Sequence, residues 1–111
     1  MGRGKRVTLL LANTESLLKA GQPKDALSCA EEVLALDPSN TDALVKKGKA
    51  LEELARPEEA IRAYDRAIQV DAKSTIAHLR KGELFNRLER YNEALECYEK
   101  ALATHQKNGN H

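Results

Sequence analysis

The sequence predicts an all-α solenoid of three helix-turn-helix repeats, six helices in all, and three observations carry that expectation. The chain aligns with itself, without a gap, at a shift of 34 residues. Each unit holds two runs of apolar residues at helical spacing, parted by a break. No stretch alternates apolar and polar residues for long enough to compete as a strand.

The register of the repeat is strict. Asp25-Ala26-Leu27, Glu59-Ala60-Ile61 and Glu93-Ala94-Leu95 are one acidic–Ala–aliphatic triplet met three times. Leu17, Leu51 and Phe85 keep the same spacing, as do Val33, Ala67 and Ala101, and Leu34, Ile68 and Leu102. Tyr64 pairs with Tyr98, and Gly48 with Gly82.

The first helix is expected over 8–20, with Gly21 suited to its end. The second, over 24–37, follows Pro23, whose missing N–H has no intrahelical partner in a first turn anyway. Asp37-Pro38-Ser39-Asn40-Thr41 is a stop followed by a start, with Pro38 breaking and Ser39 or Asn40 capping. The third helix, 42–54, carries Ala43, Leu44, Ala50, Leu51 and Leu54 on one face. After Arg56-Pro57 the fourth, 58–71, does the same with Ala60, Ile61, Tyr64, Ala67 and Ile68. The fifth spans 76–88 and the sixth 92–105, with Asn92 as the expected cap of the last. Gly48 is expected to meet Ala60, and Gly82 to meet Ala94, where two helices cross closely. Residues 1–6 are read as a basic tail, 7–108 as the repeat domain in units 7–40, 41–74 and 75–108, and 109–111 as a second tail.

Composition narrows the function. A chain of 111 residues allows one domain. Its 18 basic and 17 acidic residues leave a net charge of +1, against the distinctly basic balance of nucleic-acid proteins. Apolar runs of a few residues fall far short of the roughly 20 needed to span a membrane. Arg6 stands where a myristoylation site needs Ser or Thr. Two cysteines make no disulfide framework, so a reducing, cytoplasmic setting is expected, with Cys29 and Cys97 as free thiols. His78, His105 and His111 form no metal-spaced pair, and His78 reads as a packing residue. No phosphate loop or nucleophile elbow appears, so neither a cofactor nor an enzymatic activity is expected.

These residues resemble the tetratricopeptide repeat family, whose unit is a pair of antiparallel helices. Leu44, Gly48, Leu51, Ala60, Tyr64 and Ala67, then Gly82, Phe85, Ala94, Tyr98 and Ala101, fall on its signature. Thr14 stands in place of the signature Gly, Ala30 in place of an aromatic, and Lys47 and Lys81 in place of a customary Leu. The resemblance implies a right-handed stack whose first helices line a concave groove holding a peptide or a partner's helix. It assigns to that groove Leu11, Ala12, Glu15, Leu18 and Lys19, then Val45, Lys46, Lys49, Glu52 and Glu53, then Leu79, Arg80, Glu83, Asn86 and Arg87.

Leu11, Val45 and Leu79 would form an apolar line flanked by Lys46, Lys49, Arg80 and Arg87, with Arg56 and Arg90 at the helix corners. A segment combining apolar anchors with acidic groups is the expected ligand, because Arg grips a carboxylate bidentately. The plainer alternative is that these charges keep a helical surface solvated, each Glu–Lys pair being worth a few tenths of a kcal/mol. One subclass of the family grips the terminal carboxylate of heat-shock chaperones through two Lys, two Asn and one Arg. At the matching places stand Leu11, Glu15, Lys46, Ile76 and Arg80, of which only Arg80 fits.

The leading expectation is therefore an adaptor for a protein or peptide partner. One alternative is a structural domain that forms a homodimer through Leu95, Tyr98 and Leu102 on its last helix. The other is a regulatory fragment of a larger multidomain protein.

Overall fold

A computed structural model describes residues 2–109, and Asn110 and His111, expected in a tail, lie outside the described residues. Among the described residues the chain forms six helices and no strand: α1 (Arg3–Lys19), α2 (Pro23–Leu36), α3 (Thr41–Glu53), α4 (Pro57–Val70), α5 (Thr75–Arg87) and α6 (Tyr91–Gly109). Three boundaries depart from expectation, one of them the end of α6, which runs on to Gly109 instead of stopping at 105. Arg3–Arg6 are helical rather than a tail, since α1 begins without any side-chain cap to mark its start. Helix α6 starts at Tyr91, so Asn92 lies inside its first turn and does not cap it.

Two kinds of corner alternate. Between units, a polar side chain caps the incoming helix: the Ala43 N–H donates to Asn40 at 2.8 Å, and the Ala77 N–H to Ser74 at 3.2 Å. Within units, the first helix ends on a left-handed residue: Gly21 (φ 72°), Ala55 (φ 59°) or Glu89 (φ 61°). The next N–H then reaches back five residues, Gln22 to the Leu17 carbonyl, Arg56 to Leu51 and Arg90 to Phe85, each at 2.9 Å. Such a pattern satisfies carbonyls that a helix end otherwise leaves open.

Each helix packs on its hairpin partner, and α2 on α3 and α4 on α5 join the units. The first helices also touch, α1 on α3 and α3 on α5, whereas among the described residues no Cα atoms of α2, α4 and α6 come within 8 Å of one another. The stack therefore curves toward its first helices and opens clefts between its second ones. It is 21 Å thick, about two helix diameters. Ala26, Ala60 and Ala94 are all buried, as are Leu44, Ala50, Leu51, Ala67 and Phe85, in a core that runs through all three units. A smaller cluster of Val7, Val33 and Ala43 closes the first unit, and Leu11 packs against it.

The glycines face aromatic rings. The nearest atoms to a side chain added at Gly48 would be those of the Tyr64 ring, which it would strike, and one at Gly82 would lie 2.8 Å from Tyr98 Cε1. Ala94 and Ala101 are buried, while Leu95 and Leu102 on the same helix are exposed.

Candidate functional site

The concave side holds a cavity of about 670 Å³, lined by α1 and α3 and by the start of α5. Helix spacing builds its walls. Val45, Lys46 and Lys49 share one face of α3, and Leu18 and Lys19 come one turn after Glu15 on α1. Ile76 and Arg80 enter from α5 at a separation of one turn. Thr41, Asp42 and Ser74 add a polar rim.

Val45, Lys46, Lys49 and Arg80 from the expected groove set come together here, with Glu15, Leu18, Lys19 and Glu53. Leu11, Leu79, Asn86 and Arg87 lie outside the cavity. Leu11 packs on the small cluster of the first unit, Leu79 is half-buried, and Asn86 is exposed. Arg87 forms an ion pair with Glu52, a carboxylate whose side chain is only 6% exposed. Glu52 also accepts a hydrogen bond from the Tyr64 hydroxyl. It is thus part of the interior and not an acidic wall of the groove. Thr41, Asp42, Ser74 and Ile76 join the cavity from outside the expected groove residues; Thr41 and Asp42 stand one turn before Val45 and Lys46, on the face that helical spacing predicts.

The cavity's charges are unevenly engaged. The Lys46 ammonium lies 2.5 Å from Asp42 and 3.5 Å from Glu15, which also meets Lys19 at 3.6 Å. Lys46 is therefore neutralised from two sides. Arg80 donates through one nitrogen to Glu83 at 3.0 Å, which leaves most of its five donors free. Among the described residues Lys49 is in no ion pair. Arg56 and Arg90, expected to add to the groove, belong elsewhere. Arg56 pairs with Glu59 across the first turn of α4, and Arg90 grips Glu93 through two 2.8 Å hydrogen bonds. Those hydrogen bonds hold the Glu59 and Glu93 carboxyls below their ordinary range.

Burial governs the remaining reactive groups. It pushes the Tyr64 phenol well above its usual value, so the hydroxyl stays protonated and donates to Glu52. Burial also raises the Cys97 thiol, which keeps it from forming the reactive thiolate. Cys29 and Cys97 are buried free thiols. His78 is buried, with Nε2 donating to the Ala72 carbonyl at 3.0 Å, a packing arrangement. Among the described residues no three His, Cys, Asp or Glu side chains gather as metal ligands. No described helix is long and apolar enough to cross a membrane.

Helical hairpins repeating every 34 residues, stacked so that their first helices line an open cavity, define an α-solenoid with a concave interaction surface. The tetratricopeptide repeat family profile matches residues 11–74 and again 45–110, and the chain belongs to that family, a family of protein-interaction folds. No curated protein sequence matches the chain. Among solved structures, it is similar to the crystal structure of MamA, with a TM-score of 0.85 and 19% identity over 95% of this chain and 61% of MamA. It thus spans about three-fifths of that relative's length. The first tetratricopeptide domain of human RPAP3 aligns with a TM-score of 0.84 and 22% identity, over 88% of this chain and 77% of that one. The second such domain of Spaghetti (RPAP3), bound to the HSP90 peptide SRMEEVD, gives a TM-score of 0.80 and 23% identity over 88% and 91%.

Proposed function

We propose that the chain is a non-catalytic adaptor whose groove holds a peptide or helix segment combining an apolar side chain with an acidic group. One observation carries this reading: Lys49 and the free donors of Arg80 stand beside Leu18, Val45 and Ile76 in a single cavity. An apolar anchor gains about 25 cal/mol per Å² of surface removed from water. A carboxylate nearby completes the hydrogen bonds that Arg80 leaves unmade. The ligand held by the Spaghetti domain, SRMEEVD, joins apolar and acidic residues in the same way. Glu15 and the neutralised Lys46 disfavour that particular terminal carboxylate here, so the acidic group is a side chain of a different segment. Two buried free thiols fit a reducing compartment such as the cytoplasm.

Fluorescence anisotropy with labelled peptides tests the reading. Peptides alternating Leu with Glu should bind, and their Lys counterparts should not. Changing both Lys49→Glu and Arg80→Glu should weaken the acidic series roughly tenfold or more. Equal binding of both series would discard the charge preference.

A second reading has its own observation. Leu95 and Leu102 are 57% and 58% exposed, whereas Leu27 and Ile61, at the places matching Leu95 in earlier units, are 9% exposed because the next unit covers them. A second copy of the chain covering Leu95, Tyr98 and Leu102 would make a homodimer. Sedimentation equilibrium should then show self-association that Leu95→Glu abolishes and Arg80→Glu leaves intact; a monomer at millimolar concentration would remove this reading.

A further inference from the structure

The outer side of the stack carries two clefts related by the repeat, one between α2 and α4 over α3, the other between α4 and α6 over α5. They share a frame and differ in filling. Lys81 in the second cleft lies 2.5 Å from Asp65 and 5.6 Å from the centre of the Phe85 ring, on which Arg90 also stacks at 4.7 Å. With that ring in place the cleft is about 150 Å³, and Glu96 adds a further carboxylate to its wall. In the first cleft Leu51 replaces the ring and the volume rises to about 350 Å³. Lys47 stands 3.8 Å from Glu31, a loose pair. Arg62 occupies the place of Glu96, with Arg66 one turn further along α4. Neither is in an ion pair among the described residues. Among the lining residues Glu31 and Glu59 stand against Lys47, Arg56, Arg62 and Arg66, and the floor is the buried apolar surface of Leu44, Leu51 and Ala63.

We propose that this outer cleft docks an acidic, extended segment of a protein partner, independently of the concave groove. The two sites lie on opposite faces of α3: Leu44, Lys47 and Leu51 face the cleft, while Val45, Lys49 and Glu53 face the groove. Charge complementarity names the occupant. Arg62 and Arg66 are neighbours on the helix surface, about 5–6 Å apart at their Cβ atoms. Carboxylates on alternate residues of an extended chain repeat every ~6.6 Å, so two of them can each meet one guanidinium. Lys47, in its loose pair with Glu31, supplies a third cation to the cleft. The matching cleft one unit later keeps a cation, Lys100, at the place of Arg66, but Glu96 at the place of Arg62 and a closely paired Lys81 leave it without two adjacent guanidinium groups.

Nitrogen–proton correlation spectra of the full chain, titrated with a Ser-Glu-Ser-Glu-Ser-Glu peptide, test the proposal. Amide shifts should centre on Lys47, Ala63 and Arg66. The exposed pair Arg62→Glu and Arg66→Glu should fold normally by circular dichroism and bind roughly tenfold or more weakly. Lys49→Glu with Arg80→Glu should leave those shifts in place, which separates this cleft from the groove. A Gln-for-Glu peptide should not bind. Shifts confined to the groove, shifts spread equally over Arg3, Lys5 and Arg6, or unchanged affinity in the Arg62/Arg66 variant would each overturn it.

Discussion

The first and second units close the same hairpin with their glycines in different places. In the first, Gly21 takes the left-handed corner, and the helix crossing is filled by Thr14 and Ala30, both fully buried. In the second, Ala55 takes the corner, and the crossing is filled by Gly48 under the Tyr64 ring. Thr14 covers its own polar atom by donating to the Leu10 carbonyl at 2.7 Å. Tyr64 covers its hydroxyl on Glu52, which recruits Arg87 from the third unit. A hairpin of this shape needs a fixed volume at the crossing, and how the two residues share it is open. The third unit repeats the second at lower cost: Tyr98 covers Gly82 but stays half-exposed, and Asn86 stands where Glu52 was.

Exchanging the crossings tests this hardest. Gly48→Thr drives a side chain into the Tyr64 ring and should cost about 1–3 kcal/mol. Tyr64→Ala empties a fully buried site and strips Glu52 of a partner, for about 3–5 kcal/mol. Made together, they rebuild the Thr14–Ala30 pair inside the second unit. Urea unfolding of the four proteins should therefore show the double variant less destabilised than the sum, by roughly 1–3 kcal/mol. Additive losses would mean that the crossings are not interchangeable. Tyr98→Ala should cost less than Tyr64→Ala, because its site is already half-open to water.

These pairings also mark where the sequence stops being readable. Repeat length, helix order and the buried Ala and Leu positions follow from local spacing, because every unit repeats them. Ownership of a charge does not. Arg87 and Lys49 both sit on first helices at groove-like positions, yet Arg87 closes on Glu52 and Lys49 stays in the cavity. What separates them is a partner 35 residues away for Arg87, and no periodicity encodes that. Arg56 and Arg90, at the helix corners, leave the groove for the converse reason. Their acids, Glu59 and Glu93, are only three residues on, and the corner geometry turns both pairs away from the groove. Leu11, at a groove-like position, packs against the small cluster of Val7, Val33 and Ala43 where the first unit meets the second.

The corners give the smaller test of the same comparison. All three within-unit turns place one residue at φ near 60–70°, yet only the first advertises it with glycine. An L side chain there brings its Cβ toward the following carbonyl, at about 1–2 kcal/mol. Glycine removes that strain but leaves the unfolded chain freer, which returns about 0.5–1 kcal/mol. Ala55→Gly and Glu89→Gly should each therefore stabilise the protein by roughly 0.5–1 kcal/mol, while Gly21→Ala, with open space around its Cβ, should destabilise it through backbone strain alone. Thermal unfolding midpoints should rise for the first two variants and fall for the third. If Ala55→Gly lowers the midpoint, the corner of the second unit holds its alanine for packing, and the two hairpins differ in more than where their glycines sit.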